Sequence, residues 1–223
     1  MEKYNYRKDP HQDIDHVFRD LLPAHGMVER PAQVELSHQM LDAMLNGSIA
    51  LCDAGTGIGK TYAYLVAGVV FRRYRSRAGL PNQPLLISTS SIALQGAIIH
   101  DYLPFLSKVM MADGMLDSPL RAVLRKGKSH YVCDARLMKR LQTANLDRKN
   151  PLAKAALLSM RDHLDLDMAP HLSGYDRERI CVPPTCDCGK TECRYLCYLD
   201  VCASERYACL LYTSDAADDR ISV

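Results

Sequence analysis

Apolar residues fall at helical spacing over residues 13–22, where Ile14, Val17, Phe18, Leu21 and Leu22 share one face and predict an N-terminal packing helix. A second stripe, Leu36, Met40, Leu41, Met44 and Leu45, predicts a helix that stops at Asn46-Gly47. The period then changes. "SIALCDA" (48–54) reads as a short buried strand, followed by a glycine-rich loop and a helix to about Tyr74. After "RAGLPNQP", the stretch "LLIST" (85–89) reads as a second buried strand, ahead of helical patterns over Ser91–His100 and Leu103–Met111. Strands alternating with helices predict an α/β fold with a parallel sheet.

From about Lys126 the pattern carries no further apolar strand. The segments "DARLMKRLQTANL" (134–146) and "PLAKAALLSMRDHL" (151–164) are helical in spacing, and a cysteine-rich stretch with Pro183-Pro184 follows. This is the composition of an insertion or a small second domain. No internal repeat is visible. The tail "LLYTSDAADDRISV" (210–223) continues neither pattern, resembles a non-native read-through end, and is set aside from the fold.

With 223 residues, 48% of them apolar, the chain can bury a sizeable core. Its net charge of +2 does not by itself indicate a nucleic-acid partner. The run "FRRYRSR", with Arg72, Arg73, Arg75 and Arg77, is either a local cationic patch or a solvated helix end. No apolar run is long enough to span a bilayer, and the charged start "MEKYNYRKDPHQD" is not a secretory signal, so the expectation is a cytoplasmic protein with no membrane partner. Cytosolic thiols are kept reduced, which argues against a disulfide framework for the nine cysteines. Cys52 and Cys133 stand apart, Cys52 as an inert core thiol in the predicted strand, while seven cysteines crowd between Cys181 and Cys209. That density points to metal.

The loop "DAGTGIGKT" meets the phosphate-binding pattern G-x-x-x-x-G-K-[ST] from Ala54 to Thr61, with Ala54 in the first position. Ala54, Gly55, Thr56, Gly57, Ile58, Gly59, Lys60 and Thr61 are therefore the candidate ATP-binding residues. Glycines at 55, 57 and 59 let backbone N–H groups turn inward as an anion nest, and the helix starting near Lys60 adds its positive end. Lys60 reaches the β- and γ-phosphates and Thr61 ligates Mg²⁺ in such loops, which makes these two the catalytic candidates.

Upstream lies "ERPAQVEL" with Arg30, Pro31 and Gln33; downstream lies "LLISTSSIALQGAI" with Ser88, Thr89, Leu94 and Gln95. These resemble the Q-motif, motif I and motif Ia of superfamily 2 helicases. By that resemblance Gln33 reads the adenine edge through an amide that both donates and accepts, and Ser88, Thr89 and Gln95 lie towards the DNA backbone. "KGKSHYVC" ends the α/β stretch and "RICVPPTCDCGKTECRYLCYLDVC" follows. A lone cysteine and a distant cysteine cluster, placed soon after motif Ia, resemble the iron–sulfur domain of DinG/XPD-type helicases, in particular the bacterial DinG branch. The resemblance covers about residues 28–207.

It implies a partial RecA-like motor domain carrying a mainly helical 4Fe–4S insert, divided as a leader (1–28), an ATP-binding part (29–125), the insert (126–207) and the tail (208–223). It also implies an ATP-dependent 5′-to-3′ DNA helicase acting on single-stranded or forked DNA, with ATP, Mg²⁺ and the cluster as cofactors. Cys133 matches the first cluster ligand, and Cys186, Cys188 and Cys193 resemble the last three, with Cys181 able to replace Cys186 or Cys188. Cys197 and Cys202 lie at helical spacing and read as packing residues. Arg125, Lys126 and Lys128 are candidates for phosphate contacts near the insert, with His130 beside them, and Asp162, His163, Asp165 and Asp167 read as solvated charges.

Four thiolates suit zinc as well as iron and sulfide, and spacing does not separate the two. A zinc-stabilised nucleic-acid-binding module with a regulatory P-loop is thus the alternative, and a P-loop kinase or transferase is a third. No Asp-Glu pair of the D-E-x-H kind occurs anywhere in the sequence, nor does a second motor domain. The expectation is a fragment that binds nucleotide and holds a cluster without unwinding DNA. Oligomeric state is not legible.

Overall fold

A computed structural model describes residues 9–81, 83–143, 151–186, 188–189, 193–204 and 209–213, with side chains as far as residue 200. The start of the leader, the end of the "DARLMKRLQTANL" pattern, the Cys202 side chain and the tail from residue 214 lie outside the described residues.

These residues are mainly helical. Helix α1 (Pro10–His16) opens on Asp9, whose carboxylate accepts from the His11 backbone N–H at 2.9 Å. It continues through a π-type turn, Val17–Leu21, into α2 (Leu22–Ala24). Helix α3 (Pro31–Asn46) starts on a proline and ends where Gly47 turns left-handed at φ 61°, as the Asn-Gly pair predicts. Helix α4 (Lys60–Arg77) leads out of the glycine loop. Strand β1 (Leu85–Thr89), α5 (Ile92–Ala97), a π-type turn over Ile98–Tyr102 and α6 (Leu103–Ala112) follow, so the two helices predicted here join without a break. Next come β2 (Ala122–Arg125), α7 (Asp134–Thr143), α8 (Pro151–Ser159), α9 (Gly174–Ile180), α10 (Arg194–Ser204) and β3 (Cys209–Thr213).

The strands hydrogen-bond in the order β1-β3-β2. Several expectations change. Residues 48–54 form no strand: they are irregular, with Ile49 99% and Leu51 100% exposed, because no described strand pairs with them to satisfy their backbone groups. Cys52 is accordingly half-buried and not a core thiol. β1 is not buried on both faces either, since its residues alternate between half-buried and exposed. β2 is a strand the sequence pattern did not reveal, and β3 forms within the stretch set aside as a tail.

The described residues fall into two compact units, the first drawn from 9–86 and 92–122, the second from 87–91 and 123–204, with β3 divided between them. In the first unit α1, α3 and α4 pack together around Ile14, Phe18, Leu41, Leu65, Val66 and Val70. The Ser37 hydroxyl donates to the Ala63 carbonyl at 3.0 Å, tying α3 to α4. Asp13, 3% exposed, accepts from Arg73 at 2.9 Å and Arg77 at 3.4 Å. Burial raises the Asp13 carboxyl above its ordinary range even against those two guanidiniums. Arg75 donates twice to the Pro81 carbonyl, at 3.2 and 3.0 Å. Arg73, Arg75 and Arg77 thus fasten the C-terminal end of α4, which replaces the patch and the solvated-end readings for those three side chains.

The second unit has a core of its own, built from Leu137, Leu157, Met160, Leu166, Leu172 and Ile180 with Val132. Its backbone is drawn together where Val132 donates to the Leu164 carbonyl (2.9 Å), Cys133 to Ile180 (2.7 Å) and Val182 to Tyr131 (2.8 Å). A smaller cluster of Tyr131, Cys133, Val182 and Tyr195 lies beside it, with Cys193 packed against it.

Candidate functional site

Lys60 opens the 18-residue helix α4, and Gly59, at φ 88°, caps it in the left-handed region. Gly57 is left-handed as well, at φ 82°. Two such residues separated by Ile58 turn successive peptide groups, which is the backbone form of an anion nest. A Cβ at Gly55 or Gly57 would meet nothing within 4 Å, so the space beside the loop is open. The Lys60 ammonium folds back over the loop and donates to the carbonyls of Ala54 at 2.9 Å and Gly55 at 2.8 Å. Lys60 is exposed and Thr61, one residue into the helix, is half-buried. Ala54, Thr56 and Ile58 complete the turn.

Helix α3 supports this loop from below. Gln33, 4% exposed, donates its amide to the Gly59 carbonyl at 2.7 Å, and the Arg30 guanidinium donates to the Gly57 carbonyl. The family resemblance implies an adenine contact for Gln33; in the structure it lies under the glycine loop, with its amide donor engaged by the Gly59 carbonyl. Neither hydrogen bond has a spacing signature in the sequence, because each joins residues brought together only by the packing of α3 on α4. Of the residues expected towards DNA, Ser88 is exposed, Thr89 is half-buried and Gln95 is 0% exposed. A side chain withdrawn from the surface cannot meet a phosphate backbone, and that expectation for Gln95 is corrected.

The second unit gathers the cysteines singled out in sequence. Cys133 is buried, Cys193 half-buried, and Cys186 and Cys188 exposed. A hydrogen bond with Cys186 and the negative charge of the Cys186 thiolate, with smaller contributions from burial and from the thiolates of Cys133 and Cys193, push Cys188 up to about 11. Of the four, Cys133 and Cys193 lie together at the cluster of Tyr131, Val182 and Tyr195. Cys181 packs instead against the larger core, accepts from Arg136 through its carbonyl at 2.8 Å, and has its thiol 3.4 Å from the Glu178 carbonyl. Cys197, on α10, is exposed and not a packing residue. Among the described residues no three His, Cys, Asp or Glu side chains are grouped closely enough to hold a metal ion.

Charges of the second unit singled out in the sequence are committed to the fold. Lys126, 5% exposed, contacts Asp165 at 2.5 Å and Asp167 at 2.7 Å. Asp167 also accepts from Arg177 at 2.9 Å and lies 3.3 Å from His130. Burial opposes ionisation of Asp167, but the hydrogen bonds from Lys126 and Arg177 and the charges of Lys126 and His130 outweigh it, holding the carboxyl at about 2. Asp165 and Asp167 are thus ion-paired and not solvated, and Lys126 is no surface phosphate contact. Lys128 donates to the Pro184 carbonyl at 3.3 Å.

No family model matches the chain. It is 31% identical over 139 residues, 62% of its length, to the 3′-5′ exonuclease DinG of Bacillus subtilis. The chain is similar to the DinG and YoaA proteins. It shares 31% identity over 129 residues with the ATP-dependent DNA helicase YoaA of Haemophilus influenzae, and 35% over 85 residues with the ATP-dependent DNA helicase DinG of Photobacterium profundum. The matched stretches are 13%, 18% and 10% of those three proteins, so the chain spans less than a fifth of the length of these DinG and YoaA relatives. Among the described residues no helix is long and apolar enough to cross a membrane.

Proposed function

We propose that the chain is the ATP-binding part of the first motor domain of a DinG-like, ATP-dependent DNA helicase, together with a 4Fe–4S insert. The observation that carries this reading is the glycine loop: two left-handed glycines, an open flank and a lysine at the mouth of a long helix, in a chain similar to proteins named ATP-dependent helicases. When ATP and Mg²⁺ bind, they supply the phosphoanhydride whose hydrolysis drives the motor. The chain's own residues would hold them as follows. Backbone N–H groups of residues 55–59 face the phosphates, Lys60 exchanges its Ala54 and Gly55 carbonyls for phosphate oxygens, and Thr61 offers its hydroxyl to the metal. Gln33 keeps the loop in shape from beneath, and reading an adenine edge requires its amide to leave Gly59.

In the second unit, Cys133, Cys186, Cys188 and Cys193 are the proposed cluster ligands. An all-thiolate donor set contributed by two separate chain segments suits iron and sulfide. In the intact protein the insert would help separate the strands of forked DNA as the motor moves 5′ to 3′ along one of them.

The test uses the full chain, purified anaerobically. Nucleotide binding abolished by Lys60→Ala, with metal content unchanged, is the expected result for separate sites. Visible absorbance with roughly four irons and four sulfides per chain supports the cluster. Colourless protein with about one zinc would overturn it and leave the nucleotide site standing.

A further inference from the structure

Asp134 and Arg194 each directly follow a cysteine of the thiol group, Cys133 and Cys193, and the two charged side chains grip one another. Arg194 Nε lies 2.9 Å from Asp134 Oδ1 and 3.0 Å from Oδ2, and Nη2 lies 2.5 Å from Oδ1. The remaining donors of the same fork reach the carbonyls of Met160 at 2.9 Å and Arg161 at 2.8 Å, just past the end of α8. A planar guanidinium whose three nitrogens all have fixed acceptors is held in one orientation, which an ammonium cannot reproduce.

We propose that the Asp134–Arg194 pair is a positioning clamp that holds the Cys133 and Cys193 segments in register before a cluster arrives. The Cys133 backbone is already fixed by its hydrogen bond to Ile180, at 2.7 Å. The Cys193 carbonyl accepts from the Cys197 N–H at 3.0 Å, which ties Cys193 to the start of α10. Arg194 is the first residue of α10, and its fork decides that position relative to Asp134. Thiolates brought near one another repel; the clamp supplies an attractive contact between the Cys133 and Cys193 segments that needs no metal. Asp134 and Arg194 are 34% and 36% exposed, so the pair lies at the edge of the site and not in a core whose loss would unfold the unit.

The inference rests on the proposed cluster, and the experiment separates the two. The full chain and its Asp134→Asn and Arg194→Lys variants are compared in thermal melting, in iron and sulfide per chain, and in the rate at which a chelator removes iron. A second reading, made on metal-free chains carrying Cys186→Ser and Cys188→Ser, is the rate of Cys133–Cys193 disulfide formation under diamide, followed by mass spectrometry. The clamp predicts melting close to that of the parent, iron release faster by about tenfold, and slower disulfide formation in both variants. Unchanged release and unchanged disulfide rates in folded variants would overturn it. If the parent chain binds no iron or sulfide, the cluster reading fails alone, and the disulfide rates decide the clamp. Should Asp134→Asn not fold, Arg194→Ala with free guanidinium added back carries the same decision: restored disulfide formation supports the clamp, and no restoration overturns it.

Discussion

The amide of Gln33 fills the space that a side chain on Gly59 would need. A Cβ at residue 59 would lie 2.1 Å from Gln33 Nε2, the atom that donates to the Gly59 carbonyl at 2.7 Å. Gly57, equally left-handed, has no atom within 4 Å of that position. The two glycines therefore fail differently. Gly57→Ala carries only backbone strain, about 1–2 kcal/mol, and should weaken binding of a fluorescent ATP analogue by about tenfold. Gly59→Ala carries the same strain and expels the Gln33 amide, so it should bind far more weakly. Equal losses would show that Gln33 yields without consequence.

That contrast marks what the sequence made legible. The helices of the first unit follow from apolar spacing, and Ile14, Val17, Phe18 and Leu41 are buried as the stripes predict. The nucleotide loop is legible because its chemistry is local, set by three glycines, a lysine and a threonine in a row. Gln33 beneath Gly59 and Arg30 beside Gly57 are contacts between residues far apart in the chain, and the sequence offered only a family role for Gln33. β2 escaped notice because a four-residue strand ending in Arg125, between Arg121 and Lys126, carries too little alternation to register. The charged run Asp162–Asp167 misled for a related reason: a carboxylate at helix-like spacing looks solvated until Lys126 and Arg177 arrive from elsewhere in the chain.

Asp167 makes the stability of the second unit depend on pH. Its carboxyl is held at about 2 against an ordinary 3.8, so the folded state prefers the ionised form. An acid with a lowered folded value stabilises the fold above its unfolded value, and that contribution disappears as pH falls from 3.8 towards about 2. Allowing for partial solvent screening, the contribution is about 1–2 kcal/mol. Denaturant melts at pH 6 and pH 2.5 should show the parent losing more stability on acidification than Asp167→Asn does. Identical losses would remove Asp167 from the account.

Lys126→Ala tests whether that lysine serves the fold or a DNA backbone. Its side chain is 5% exposed and its ammonium sits on two carboxylates. Removing it leaves Asp165 and Asp167 close together without the cation between them, a change expected to cost about 3 kcal/mol. A structural lysine predicts a lowered melting temperature with an unchanged salt dependence of single-stranded DNA binding. A phosphate-contacting lysine predicts the reverse: stability near that of the parent and a salt slope smaller by about one ion.

The stretch before the glycine loop supplies the sharpest comparison between pattern and structure. By pattern, Leu51 belongs to a strand buried on both faces, but it is 100% exposed, whereas Leu65, a few residues past the loop on α4, is 0% exposed. An exposed leucine touches too little to stabilise anything, so Leu51→Ala should change unfolding free energy by no more than about 0.5 kcal/mol. Leu65→Ala removes packed methyl groups and leaves a cavity, at a cost of about 2–5 kcal/mol. Urea unfolding of both variants, read at constant m-value, separates the alternatives. If Leu51→Ala proves as costly as Leu65→Ala, residues 48–54 pair with another strand in solution, and the glycine loop is anchored on its upstream side as well as through Gln33 and α4.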